Sequence, residues 1–207
     1  MKNIYRIAVI LLLITSLTSC IVVKNDTIVE ESEQIVNLSP KPSVAMSDEI
    51  VRSKDGDMIA FLPEGWFFVN VDDQAASSVF AVAVNPDYTL AAVFSCISET
   101  PDYEDIIKRE GLIGLSRIFF DRHSAKTGGD AKMIGSASSM SMGPLEFGHY
   151  NFSTAGGSNL CRSAVFKSSM NNLYEMSVIQ MEFRLMPLPT QTEIEQIFSS
   201  IVATIQY

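Results

Sequence analysis

Phe61-Leu62-Pro63-Glu64-Gly65-Trp66 is the most distinctive local signature in the body of this chain, and the architecture can be read outward from it. Pro63 fixes its own φ and supplies no backbone donor, and Gly65 permits a tight bend, so the chain turns here between two short β-type runs. The first, residues 58–61, follows a turn at Asp55-Gly56-Asp57; the second starts at Trp66 and continues to residue 71. Trp66 is the only tryptophan, and an indole is too large to leave exposed without a reason.

Downstream, residues 79–85 and 89–98 flank Asn85-Pro86-Asp87-Tyr88 and read as a hairpin with a longer loop. In the second run Leu90, Ala92, Phe94 and Cys96 face one way, and Ala91, Val93 and Ile97 the other. Both sets are apolar, which predicts a strand covered on both faces. Thr100 as N-cap, Pro101 at the first helical position and acidic residues in the first turn then predict a helix. It runs to Lys126 and stops at Gly128-Gly129. Ile107, Gly111, Gly114, Leu115 and Ile118 fall on one stripe of it. Two glycines in a helix cost roughly 1 kcal/mol each against alanine, which close packing on a sheet would offset. Ile106, Ile113 and Phe120 form a second line off that stripe, so either another element covers them or they are a surface for a partner.

Residues 131–142, 145–155, 159–169 and 173–183 read as an antiparallel meander, punctuated by Gly143-Pro144, Gly156-Gly157-Ser158 and Met170-Asn171-Asn172. Residues 190–206 close the chain as a helix. Thr190 and Glu193 have capping-box spacing, and Ile194, Ile197, Phe198, Ile201, Val202 and Ile205 form an apolar stripe.

Upstream of the body, Asp26, Glu30, Glu31 and Glu33 interrupt any apolar pattern, and Ser39-Pro40-Lys41-Pro42-Ser43 breaks backbone hydrogen bonding, which predicts a flexible tether to about residue 53. At the start, Lys2 and Arg6 precede an apolar run over residues 7–13 that ends in Leu17-Thr18-Ser19-Cys20. A charged start, a short apolar core and a small-residue exit are the pattern of a secretory signal, too short to span a bilayer.

Hydrophobic residues make up 47% of the 207 and charged ones 19%, enough for a substantial core. The net charge of −9 argues against a nucleic-acid partner, whose phosphates demand basic surfaces. An acidic body also gains nothing electrostatically from anionic lipid, so attachment to a membrane has to come from an anchor.

Two resemblances carry the functional expectations. Leu17-Thr18-Ser19-Cys20 resembles the lipobox of bacterial lipoprotein signal peptides. That implies cleavage before Cys20, a diacylglycerol on its sulfur and a fatty acid on the new amino group. Residues 1–19 are then signal peptide, 20–53 the lipidated N-terminus and tether, and 54–207 the globular domain. Ile21 rather than Asp follows Cys20, which in enteric-type sorting implies the outer membrane, facing the periplasm. The order of elements over residues 55–207, with Pro63-Glu64-Gly65-Trp66 near the domain start, Tyr174 in a late strand and an apolar helix at the end, resembles the PsbP-like fold, including the DcrB-like envelope lipoproteins. The resemblance implies an α+β fold, an antiparallel sheet with helices packed on both faces. It also implies a non-catalytic role, because members bind or support larger partners and the pattern supplies no catalytic residue.

Few other constellations carry chemistry. Cys96 and Cys161, in a compartment that permits disulfides, are either bridged or two separately buried thiols. His123 sits near a helix end, where a capping role suits it, and His149 lies in a strand. Neither falls into a catalytic motif, and no metal site or cofactor is expected from their spacing. Asp55-Gly56-Asp57 resembles a fragment of a calcium loop without its downstream glutamate. Met140-Ser141-Met142 offers two thioethers that could suit Cu(I), against the alternative of core methionines. Asp72-Asp73 and Glu30-Glu31 read as solvated charge. The leading expectation is a membrane-anchored envelope protein with a binding or support domain and an envelope protein as partner. Its surface would lie near Trp66 or the line Ile106, Ile113 and Phe120. The alternatives are a small-ligand or Cu(I) binder and, further off, an envelope hydrolase using His149 as base.

Overall fold

The computed structural model describes residues 40–70, 78–97, 102–181 and 186–207. Over these the chain runs β1 (Met46–Arg52), β2 (Ile59–Pro63), β3 (Phe67–Phe68), β4 (Val79–Val84), β5 (Leu90–Ile97), α1 (Asp102–Lys126), β6 (Lys132–Met142), β7 (Leu145–Thr154), β8 (Asn159–Lys167), β9 (Leu173–Gln180) and α2 (Gln191–Thr204). Strands β3 to β9 form one antiparallel sheet in the order β3-β4-β5-β9-β8-β7-β6, and β1 pairs with β2 as a separate ribbon. The meander β6-β7-β8-β9 is built from sequential hairpins. Its last strand returns to pair with β5 along its whole length, from Leu90 opposite Gln180 to Ile97 opposite Leu173.

Strand alternation sorts side chains between two cores. Along β9, Tyr174, Met176 and Val178 join the cluster beneath α2 and the ribbon, while Leu173 and Ile179 join the one beneath α1. The fold is thus α+β with one helix on each face of the sheet, as expected.

Helix α2 forms for the reasons its sequence gives. The Thr190 amide donates to Glu193 Oε2 at 2.7 Å, and the Glu193 amide donates back to Thr190 Oγ1 at 3.3 Å. Ile194, Phe198, Ile201 and Val202 are fully buried, each contributing about 1.5–3 kcal/mol. The helix stops at Thr204, two residues short of the expected end, because Gln206 leaves it to exchange backbone bonds with Ile59 of the ribbon at 3.0 Å each way.

Other expectations need correction. Residues 43–53, expected in the tether, belong to the body: Met46–Arg52 is a strand of the ribbon with Val51 buried, and the Ser43 amide donates to Ser200 Oγ at 2.9 Å. Helix α1 is also not one continuous helix. Gly111 has φ 64° and ψ −157°, a conformation open to glycine, and it offsets the two halves in phase. After the break the inward positions are Leu112, Leu115, Ser116 and Phe119. A Cβ at Gly111 would meet nothing, and one at Gly114 would meet the Cβ of Glu110 on its own helix, so neither glycine admits the sheet. The close approach comes from the strand side, at Gly148 of β7. The capping pair Thr100-Pro101, the signal and lipobox residues to Cys20, Glu30-Glu31 and Asp72-Asp73 lie outside the described residues.

Candidate functional site

Glu175 sits in β9 between Ser95 of β5 and Val165 of β8, and alternation turns it toward the α1 face. It is only 6% exposed. Burying a carboxylate costs several kcal/mol unless charge-assisted hydrogen bonds compensate, and here two groups supply them. The fully buried Tyr150 of β7 donates its hydroxyl to Glu175 Oε1. His123 Nε2, from the C-terminal part of α1, lies 3.0 and 3.1 Å from the two oxygens, and its N–H donates to them. Burial, together with the adjacent Glu175 charge, pushes the Tyr150 phenol far above its ordinary range, so it remains a donor.

Aromatic packing fixes the imidazole. His123 stacks on Phe152 with centroids 5.3 Å apart and 23° between planes, and Phe120 meets both Phe152 and Tyr150 edge-on at 6.2 Å. The neighbouring Arg122 donates Nη1 to the Tyr103 hydroxyl at 2.5 Å, and Tyr103 packs edge-on against Phe119.

Glu175, His123, Arg122 and Phe119 of this set line a cavity of about 100 Å³ between the second half of α1 and strands β4, β5 and β9. Glu175 and His123 give it a polar, buried part, Val93 and Phe119 contribute apolar surface, and the exposed Arg122 and Lys126 add two cations. Chemically it offers an acceptor, a greasy surface and positive charge within one small space.

The residues singled out from sequence are distributed elsewhere. Trp66, at 6% exposed, belongs to the core beneath α2 and is packing rather than surface. Ile106, Ile113 and Phe120 are half-buried and pack against the core beneath α1. Cys96 and Cys161 are free thiols. Cys96 packs with the α2-side core and Cys161 lies within the α1-side core, so the sheet separates them and no bridge forms. Burial raises both thiols, Cys161 to about 12.

His149 lies on the α2 side, its ring 5.4 Å from Phe198, and burial pulls its pKa below the ordinary histidine value. The two histidines are therefore on opposite faces and cannot act together. Met140 and Met142 pack half-buried against the α2-side core. Among the described residues no group of three or more His, Cys, Asp or Glu side chains could hold a metal ion.

Asp57, from the calcium-like fragment, is a fastening. It accepts from Ser53 Oγ at 2.8 Å, Tyr174 Oη at 2.5 Å, Asn172 Nδ2 at 3.0 Å and the Ser168 hydroxyl, tying the turn before β2 to the β8–β9 hairpin. Partial burial pushes its pKa up, but the hydrogen bonds from Ser168, Tyr174, Ser53 and Asn172 prevail and bring it to about 2.

Sequence reasoning missed Glu175, Tyr150, Arg122 and Lys126 as a group. One signal was present: Glu175 is the only charged residue in the otherwise uncharged strand Leu173–Gln180.

No sequence-family model matches the chain, and no curated protein matches it. Its fold is PsbP-like. It is similar to the solution structure of cyanobacterial PsbP (CyanoP) from Synechocystis sp. PCC 6803, with a TM-score of 0.57 and 13% identity over 77% of this chain and 92% of that one. It also aligns with the Ran-binding protein Mog1p of Saccharomyces cerevisiae, with a TM-score of 0.49 and 10% identity over 78% of this chain and 96% of that one. A third alignment is with LpqN of Mycobacterium tuberculosis, described as involved in cell envelope biogenesis, with a TM-score of 0.40 and 10% identity over 78% and 92% of the two chains. At 13% identity the likeness to CyanoP concerns the fold alone. Among the described residues no helix is long and apolar enough to cross a membrane.

Proposed function

We propose that the chain is a lipid-anchored protein of a bacterial cell envelope whose PsbP-like domain is a non-catalytic binding module. One observation carries this reading: an apolar run over residues 7–13, preceded by Lys2 and Arg6, ends in Leu17-Thr18-Ser19-Cys20. Cleavage before Cys20 and acylation of its sulfur and amino group give more than one buried chain, and two such signals hold a protein on a bilayer where one does not. The net charge of −9 favours an anchor over surface electrostatics. In this reading the domain works outside the cytoplasm, held at the membrane, and binds rather than transforms. The α1-side cavity supports binding, since it brings apolar wall and polar groups together in one concave place.

The test is intact-mass analysis and membrane fractionation of the protein made in a bacterial host, beside a Cys20→Ser variant. The expected result is a chain starting at Cys20, heavier by its acyl groups and found with membranes, while the variant is unacylated and released. An unacylated wild type, or a variant that stays membrane-bound, overturns the anchor.

A further inference from the structure

We propose that the α1-side cavity binds a small carboxylate that also carries a hydrogen-bond donor: an α-amino or α-hydroxy acid with a short aliphatic side chain. This rests on the reading of the domain as a binding module and names what that module takes.

The buried side of the cavity selects a donor. An ionised carboxylate can accept about four hydrogen bonds. Within the fold Glu175 receives the Tyr150 hydroxyl and the single N–H of His123, shared between its oxygens. Acceptor capacity remains, and Glu175 lines the cavity, so a ligand ammonium or hydroxyl can donate to it. The same charge repels a ligand that brings only negative oxygens to that side.

The opposite requirement comes from α1. Arg122 and Lys126 are one helical turn apart, both exposed, and among the described residues neither belongs to an ion pair. Two cations left without an acidic partner at one concavity, in a chain of net charge −9, concentrate positive potential there. Arg122 spends one donor on Tyr103 and keeps the rest of its fork for a carboxylate. The negative end of the α1 dipole favours both cations in their places. Val93 and Phe119 line the same cavity and leave room for a few carbon atoms within about 100 Å³. The ligand that satisfies all three has its carboxylate toward Arg122 and Lys126 and its donor toward Glu175.

The experiment is calorimetric and saturation-transfer NMR titration of the full-length chain in detergent with L-valine and L-lactate. Isovalerate, which lacks the donor, and isobutylamine, which lacks the carboxylate, are the controls. Saturable binding of either probe is expected, weakened about tenfold or more in the controls. Lys126→Glu, on an exposed position, and Val93→Phe, which fills the cavity, should each weaken it comparably with the near-UV circular dichroism unchanged. The proposal is overturned if neither probe saturates, if the controls bind as well as the probes, or if Lys126→Glu leaves binding untouched. Acylation at Cys20 in the same preparation separates the two readings. An acylated chain that binds neither probe loses this inference alone, and an unacylated chain that binds loses only the anchor.

Discussion

Gly148 of β7 lies so close beneath Ser116 of α1 that a Cβ built on it would stand 2.3 Å from the serine Oγ and 2.4 Å from the Leu112 carbonyl oxygen. Helix and sheet meet here with no room for a methyl group. Gly148→Ala should therefore destabilise the domain by about 3 kcal/mol, the upper end of what overpacking costs, because the backbone carbonyl cannot turn aside. Ser116→Ala in the same chain should recover only part of that loss, since it removes the hydroxyl and leaves the carbonyl. Urea unfolding of the single and double variants measures both. An alanine at Gly148 with wild-type stability would show that the helix does not sit where we place it.

The Asp57 fastening predicts an acid limit. Its folded pKa of about 2 lies below the ordinary 3.8, so the stabilisation is complete above the ordinary value and is lost as pH falls through the folded one. Asp57→Asn should cost roughly 1–2 kcal/mol at neutral pH, at the low end for bonds to a charged group because water reaches the site. It should also flatten the stability profile between pH 3.8 and about 2. Thermal unfolding across that interval is the measurement, and parallel profiles for variant and wild type would count against the assignment.

A carboxylate kept for binding rather than for folding leaves a thermodynamic trace. Tyr150→Phe should cost about 1–3 kcal/mol, because Glu175 then keeps its buried charge with one donor fewer. Glu175→Leu alone should cost about 1–3 kcal/mol, because it leaves the fully buried Tyr150 hydroxyl without its acceptor. Tyr150→Phe together with Glu175→Leu should instead be neutral or stabilising, since both buried partners are then apolar. The half-exposed His123 can turn to water. Unfolding curves of the single and double variants, read beside their titrations with L-valine and L-lactate, test the trade. A Tyr150→Phe/Glu175→Leu protein that is strongly destabilised would make the carboxylate a structural group.

The two thiols should behave as buried, separate groups. Native protein treated with iodoacetamide should alkylate slowly at Cys161, whose burial raises its pKa to about 12, and somewhat faster at the less buried Cys96. Both should react fully in urea without added reductant. Peptide mass mapping distinguishes this from a bridge, which would block both sites until reduced.

How far the sequence revealed this depended on how local each cause was. The Thr190–Glu193 cap and the apolar stripe of α2 lie within one helix, and each hairpin of the meander carries its own turn residues, so these could be read directly. Helix α1 could not, because the break at Gly111 re-phases everything after it. Strand β1 was hidden by Asp48 and Glu49, which face water in a ribbon whose strand buries Val51. The cavity was the least legible part. Glu175, Tyr150 and His123 come from three elements that meet only when the meander closes on β5 and α1 lies across it.

That closure also governs how the protein is born. Strand β5, apolar on both faces, leaves the ribosome long before β9, the strand that covers its open edge, has been made. At synthesis rates of about 5–20 residues per second the wait is on the order of ten seconds, during which β5, paired with β4 on one side only, presents an open hydrophobic edge that invites aggregation. The meander can assemble from neighbours, but the sheet cannot be completed until its final strand arrives. Until β9 is made, that edge is where the growing chain is most exposed to a wrong partner.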